Sequence, residues 1–129
     1  MTIKVELAYG ELLDKITILQ IKSERITDES KLLNVNKELK LLNDLWQSDQ
    51  KSSVDISVEF AALKDINEKI WDIEDDIRDK ERAKEFDQDF IELARSVYFS
   101  NDKRAEIKRE INLKLGSDLI EEKSYSDYE

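Results

Sequence analysis

The 129-residue sequence contains no cysteine and no histidine. Without cysteine, the chain can form neither a disulfide framework nor a thiolate zinc site. Without histidine, it lacks the usual proton shuttle at neutral pH and the commonest metal ligand. Any acid–base or metal chemistry would depend on aspartate, glutamate, lysine, tyrosine or water. We therefore expect no cofactor and no resident metal ion.

Proline is also absent, and glycine occurs only at Gly10 and Gly116. These two residue types are the strongest turn signals, so their scarcity argues against an all-β fold and favours long helices. Charged and apolar residues each make up 40% of the chain, which suits amphipathic helices with solvated outer faces. The sequence predicts a single all-α domain over residues 1–129, an antiparallel bundle of four to five helices.

The net charge is −10, which opposes binding to nucleic acid or to anionic membranes. No apolar run approaches the roughly 20 residues of a membrane span, and the first residues lack a signal-peptide layout, so we expect a cytoplasmic protein. Residues 72–92 carry ten acids and four bases, and residues 103–114 carry five bases and two acids. The simplest interpretation is that these two segments face each other, within one chain or across a dimer.

Apolar residues that recur every three or four positions predict the helices. Helix A should begin just after Gly10 and end near Ile26, with a central position because it is apolar on most sides. Helix B should begin near Thr27 or Asp28 and pack antiparallel on helix A. Their main seams are Leu12, Ile16, Leu19, Ser23 and Ile26 in helix A, and Leu32, Val35, Leu39, Leu42 and Trp46 in helix B.

Two further helices follow a polar loop at residues 48–53. Helix C should run from about Ser57 into the eighties, and helix D should open at the N-cap candidate Asp87 and end at Gly116, a C-cap glycine. Residues 100–102 (Ser-Asn-Asp) favour caps and turns, so helix D either breaks there or continues in register. An acidic tail begins at about residue 117. The two seams are Leu63, Ile66, Ile70, Ile73 and Ile77, and Phe90, Leu93, Val97, Ser100, Arg104, Ile107 and Ile111.

Residues 2–7 and 53–58 alternate between apolar and polar side chains, which is the period of a strand. A lone strand is not stable, so three arrangements stay open. The two segments pair with each other, each pairs across a dimer, or both are extended arms that lie on helices.

Three groups of polar residues are candidates for a functional site. Carboxylates one turn apart on helix C could hold Mg²⁺, although an ordinary solvated face with ion pairs is the simpler interpretation. A basic line on helix A could bind a small anion, or could pair with acids of helix C or with Asp14. A mixed group on helix D could likewise bind a small anion, or could form a buried ion pair. Arg104 falls in the seam of helix D and requires an acidic partner such as Glu74 or Asp75. The candidates are Lys15, Lys22, Arg25, Glu74, Asp75, Arg78, Arg95, Tyr98, Asp102, Arg104 and Lys108.

Several stretches together resemble a family of small bacterial and phage proteins of unknown function. They are GELLDKITILQIKSERI (10–26), residues 39–46, WDIEDDIR (71–78), FIELARSVYFSNDKRAEIKREIN (90–112) and EEKSY (121–125). The resemblance covers nearly the whole chain and implies an all-helical fold, but it implies no activity. The residue usage is also typical of an AT-rich genome, such as that of a phage.

The leading hypothesis is a non-enzymatic interaction or structural module that forms a homodimer, because helices A and B carry more apolar faces than one small bundle can hide. One alternative is a Mg²⁺-dependent hydrolase of a nucleotide or other phosphate ester that uses the helix C carboxylates. Another alternative is a domain that binds a small anion through Lys15, Lys22, Arg25 and Arg104.

Overall fold

A computed structural model describes residues 1–128. Within those residues the chain is all-helical and forms no strand. The described residues form four α-helices, not five, and one short 3₁₀-helix at Gln50–Ser53. The α-helices are α1 at Tyr9–Arg25, α2 at Glu29–Ser48, α3 at Ser57–Ala83 and α4 at Gln88–Leu115. The predicted acidic tail follows α4 as an irregular segment, and its last residue, Glu129, lies outside the described residues.

Helix α1 is the centre of the fold, as its apolar sides predict. It packs on α2 along one side and on α3 and α4 along the other. Leu13, Ile16 and Ile21 are almost completely enclosed. The ring of Tyr9, at the start of α1, packs edge-on against Trp46, near the end of α2, with 6.0 Å between ring centroids. The antiparallel pairing of helices A and B is therefore confirmed.

Helices α3 and α4 form a long antiparallel hairpin, and their ends carry the predicted caps. Asp87 accepts a hydrogen bond from the backbone N–H of Phe90 at 3.0 Å, so it is the N-cap of α4. Gly116 adopts the left-handed conformation (φ +65°) that ends α4, as expected of a C-cap glycine. The helix runs unbroken through residues 100–102, and Ser100 is buried. Of the two alternatives for helix D, the continuous helix is the correct one.

The alternating segments do not form strands in the described chain. Residues 2–7 are exposed, and Ile3 and Val5 retain 88% and 69% of their accessible surface. In the second segment, Ser53 ends the 3₁₀-helix and Ser57 begins α3, so only residues 54–56 link the two helices. Ile56 there is buried in the core, which explains the apolar position without a strand. The prediction of a strand at residues 53–58 is therefore wrong.

The α3–α4 turn is closed by a lysine in a conformation that favours glycine. Lys84 has φ 56°, and the backbone N–H groups of Lys84 and Glu85 donate to the carbonyls of Glu81 and Lys80. Left-handed backbone costs a non-glycine residue about 1 kcal/mol or more. We therefore expect Lys84→Gly to raise the free energy of unfolding by about 0.5–1 kcal/mol in urea titrations followed by circular dichroism. Lys84→Ala, which keeps the strain, should bring no such gain. A glycine variant less stable than the alanine variant would contradict this account.

Candidate functional site

Most buried polar side chains of the described residues belong to α1 and α4, which pack antiparallel on each other. Three contacts follow each other along this antiparallel interface, and we call them the polar ladder. The backbone N–H of Gly10 donates to Asn112 Oδ1 at 2.7 Å, Lys108 Nζ donates to Glu11 Oε2 at 2.6 Å, and Arg104 Nε lies 3.7 Å from Asp14 Oδ1. The α4 residues of the ladder recur every four positions, so they occupy one face of that helix.

Gly10 allows this close approach because it has no side chain. A Cβ atom at this position would lie 2.5 Å from the backbone oxygen of Lys108 and 3.0 Å from Asn112 Oδ1. The first turn of α1 has no cap from its own N-cap residue, Ala8. Its N–H groups instead donate to Asn112 and, at 3.4 Å from Tyr9, to Ser117 Oγ. The end of α4 therefore caps the beginning of α1.

Asp14 brings a carboxylate into the core, where α3 completes its hydrogen bonding. Asn67 Nδ2 donates at 2.8 Å both to Asp14 Oδ1 and to Thr17 Oγ1, and the Thr17 hydroxyl donates to the Asp14 carbonyl at 2.8 Å. These three residues are at most 5% exposed. Because an isolated buried charge is very costly, the Asn67 amide and the Arg104 guanidinium are what make Asp14 tolerable there.

Arg104, a candidate from the sequence, does pair with an acid, but its partner is Asp14 of α1. Glu74 instead accepts from Arg78 on its own helix, and Asp75 is exposed. The expectation that Glu74 or Asp75 neutralises Arg104 is therefore wrong. The physical reason is the orientation of α1, whose antiparallel approach to α4 places Asp14 opposite Arg104.

Among the basic candidate residues, Lys108 is the most buried, with 9% of its side chain exposed. It lies between Glu11 and Glu121 of the tail, whose Oε2 atom accepts at 3.1 Å. Burial lowers the pKa of Lys108, but the hydrogen bonds to the two carboxylates outweigh it, so its pKa is raised. The hydrogen bond from Lys108 in turn lowers the pKa of Glu121. The tail is therefore held on the domain by an ion pair at neutral pH.

The basic line of helix A does not converge on one site. Arg25 is paired with helix C acids: its Nη1 is 2.6 Å from Asp72, and its Nη2 is 3.7 Å from Glu68. The hydrogen bond to Asp72 raises the pKa of Arg25. Lys15 is exposed and Lys22 half-buried, and neither forms an ion pair with any of residues 1–128. For Arg25, the alternative of pairing with acids of helix C is confirmed.

The remaining candidates of helix D lie beside the tail. Tyr98 packs against Phe99 and Tyr128, with centroid separations of 5.0 and 5.1 Å. The Tyr128 hydroxyl donates to Asp102, and the Arg95 guanidinium lies 5.9 Å from the centre of the Phe99 ring. These contacts attach the end of the tail to α4. They share no partner with Arg104 or Lys108.

The acidic and basic segments do not face each other within one chain. All five bases of residues 103–114 pair with acids outside residues 72–92, because the antiparallel hairpin places the two segments at opposite ends. The pairs are Lys103–Glu106, Arg104–Asp14, Lys108–Glu11 and –Glu121, Arg109–Glu122, and Lys114–Glu59.

No group of three acidic side chains within residues 1–128 is arranged to hold a metal ion. A metal-dependent hydrolase that uses Glu74, Asp75 and a third acid therefore gains no support from the geometry.

Among the described residues, no helix combines the length and apolar content that crossing a membrane requires.

Sequence reasoning singled out Arg104 and Lys108 but missed Asn67, Asn112 and Thr17. The signal was present: Asn67 lies four residues after Leu63 and three before Ile70, within the helix C seam. A polar residue in an apolar seam must find a hydrogen-bond partner on a facing helix. Spacing alone does not say which helix supplies that partner.

These contacts define an all-α domain in which buried polar groups join three helices. Residues 3–128 match the family described as "Family of unknown function (DUF6165)", and the chain belongs to that family. Membership over nearly the whole chain confirms the resemblance to a family of unknown function; bacterial or phage origin stays a prediction. No curated protein and no solved structure matches the chain.

Proposed function

We propose that this domain is a non-enzymatic interaction module that acts as a homodimer, joined through the outer face of α2. One observation carries the proposal: none of the 20 residues of α2 is buried. Its inner side chains are half-buried against α1, whereas Leu33, Leu41 and Leu45 retain 74%, 65% and 56% of their accessible surface. Covering a leucine is worth about 1.5–3 kcal/mol, so a second copy that buries these three side chains would gain substantial free energy.

The charge of α2 favours a second copy as the partner. Helix α2 contains three acids and three bases, so its net charge is zero, whereas the whole chain carries −10. Two copies of a strongly acidic protein repel each other over most of their surfaces. The neutral face of α2 is a surface on which they can meet without that repulsion. The same acidity disfavours a nucleic-acid partner.

Residues 1–5 of the N-terminal arm (residues 1–7) would add contact area to the same interface, whereas Glu6 and Leu7 lie beside α4 and the tail. The arm leaves the domain at Tyr9, which packs on Trp46 close to the end of α2. Its apolar side chains, Ile3 and Val5, are exposed. A stable dimer buries about 800 Å² on each partner, more than one helix face provides, so the arm would supply part of the remainder. In a two-fold dimer the same face of each copy meets its equivalent.

Size-exclusion chromatography with light scattering tests this proposal. We expect the wild-type domain at low-micromolar concentration to show twice the 15.2 kDa mass of one chain. Leu41→Glu places a charge in the centre of the interface and should give the monomer mass, because an unpaired buried charge is very costly. Leu113→Glu is the matched control: Leu113 is 61% exposed but lies on α4, so this variant should stay dimeric.

Circular dichroism of each variant separates dissociation from unfolding. A wild-type domain that remains a 15.2 kDa monomer throughout the concentration range contradicts the proposal. Equal dissociation by Leu41→Glu and Leu113→Glu would locate the interface away from α2.

A further inference from the structure

A cleft of about 280 Å³ lies where α1 begins, α4 ends and the tail crosses both. We call it the Lys108 cleft. Its volume is close to the lower limit for small-molecule sites. Its polar lining comes from Glu6, Glu11, Lys108, Asn112 and Glu121, and its apolar lining includes Leu7, Leu119 and Ile120. The cleft is therefore large enough for a short molecule with one polar end and one apolar end.

Two buried side chains supply hydrogen-bond donors to this cleft. Only 9% of the Lys108 side chain is exposed. Its Nζ group already donates a hydrogen bond to Glu11 on α1. Asn112 is 2% exposed, and its Oδ1 accepts from Gly10. A backbone N–H can only donate, so this bond fixes the amide orientation and directs Nδ2 away from Gly10. That Nδ2 group donates no hydrogen bond to any of residues 1–128.

The Asn112 Nδ2 atom itself is not enclosed, so it reaches solvent at the cleft, where a ligand can accept a hydrogen bond from it. The positive end of the α1 dipole also lies at the cleft, through Ala8 and Glu11. Lysine, amide nitrogen and helix N-terminus favour an anionic group, whereas Glu6 and Glu11 in the same lining limit it to a single charge. The one anion that the tail places there is the Glu121 carboxylate, which belongs to an irregular segment and is 45% exposed. Of the groups that contact Lys108, the Glu121 carboxylate is therefore the one that a ligand can displace.

We propose that the Lys108 cleft binds a small monocarboxylate, and that Glu121 occupies its anion position as an internal substitute until the ligand displaces it. A ligand carboxylate would accept from Lys108 in place of Glu121 and from the free Asn112 amide. A single negative charge fits best, because Glu11 remains next to Lys108 and would repel a dianion such as phosphate. The short apolar body of the ligand would lie against Leu7, Leu119 and Ile120.

The tail competes with the ligand from within the same molecule. A tethered competitor acts at a high effective concentration, so the wild-type domain should bind weakly. Glu121→Gln removes the negative charge of the competitor and keeps its size. We expect it to raise the affinity for the ligand about three- to fivefold, the range that one partly exposed ion pair can contribute. This inference is independent of dimer formation through α2.

The test uses valerate as the probe, titrated into the full chain and followed by two-dimensional amide NMR at constant ionic strength. We expect the signals of the Gly10 backbone and the Asn112 side chain to shift, with a lower Kd in Glu121→Gln than in the wild type. Glu122→Gln is the matched control, since Glu122 pairs with Arg109 at 3.0 Å and does not line the cleft. It should bind valerate as the wild type does.

Phosphate and acetate titrations complete the design. Acetate lacks the apolar body and phosphate carries more charge, so both should bind more weakly than valerate. Shifts that are equal for chloride and valerate would overturn the proposal. Equal affinities of the Glu121→Gln and Glu122→Gln variants for valerate would overturn it too. Neither outcome requires a substitution of the buried Lys108, which would also disturb the fold.

Discussion

Replacing Gly10 with alanine is expected to lower the free energy of unfolding by about 2–3 kcal/mol, although alanine is the better helix former. The added Cβ would lie 2.5 Å from the backbone oxygen of Lys108. A backbone atom of α4 cannot rotate away as a flexible side chain does. The two helices must therefore move apart, which strains the whole polar ladder. Urea unfolding of Gly10→Ala, followed by circular dichroism, measures the loss.

Gly116→Ala is the matched control for this effect. Gly116 needs its positive φ of 65°, but a Cβ there meets nothing within 4 Å. Its substitution should cost about 1–2 kcal/mol through backbone strain alone. The two variants should also differ in amide hydrogen exchange, which only Gly10→Ala should accelerate in the first turn of α1. A Gly10→Ala variant as stable as the wild type would show that helix propensity outweighs the contact with α4.

The helices could be predicted from the sequence because their signals are local. A run of apolar residues at intervals of three and four identified each inner face, and capping residues identified the ends. Asp28 and Asp87 cap α2 and α4 through hydrogen bonds to Lys31 and Phe90. Gly116 ends α4 as expected. Each of these features depends on residues within one turn of each other.

The partners of buried polar residues could not be predicted in the same way. Asp14 lies 53 positions from Asn67 and 90 from Arg104, so their contact depends on how three helices cross. The seam of helix D correctly placed Arg104 towards the interior, where it needs an acid. Several acids were available at suitable spacings, and only the packing of α1 selects Asp14. The strand pattern at residues 53–58 was wrong for a related reason. Ile56 is apolar because it is buried in the short link between two helices, and its burial there depends on tertiary packing.

The second large effect is expected from Asn67→Asp, which should lower the free energy of unfolding by about 3–5 kcal/mol at pH 7. Asn67 Nδ2 is 2.8 Å from Asp14 Oδ1 and 2.8 Å from Thr17 Oγ1. The substitution turns this donor into an acceptor and places a second carboxylate against the first, in a position that is 5% exposed. Arg104 offsets only part of the repulsion, since it lies 3.7 Å from Asp14.

The loss should depend on pH with a defined sign. Two carboxyl groups at this distance share one proton readily, so the folded variant holds that proton more tightly than its unfolded chain does. The stability of the variant relative to the wild type must then rise as the pH falls from 7 towards 4. The measurement is urea unfolding of both proteins at a series of pH values. The difference between them removes the contributions of acids common to both chains.

The double variant Asp14→Asn with Asn67→Asp separates charge repulsion from a change of shape. It restores one amide donor opposite one carboxylate acceptor, with the two roles exchanged between α1 and α3. We expect it to recover most of the stability lost by Asn67→Asp at pH 7, and to lose the added pH dependence. A double variant as unstable as the single one would mean that the shape of the site around Thr17, rather than the pairing of donor with acceptor, holds Asp14 in the core.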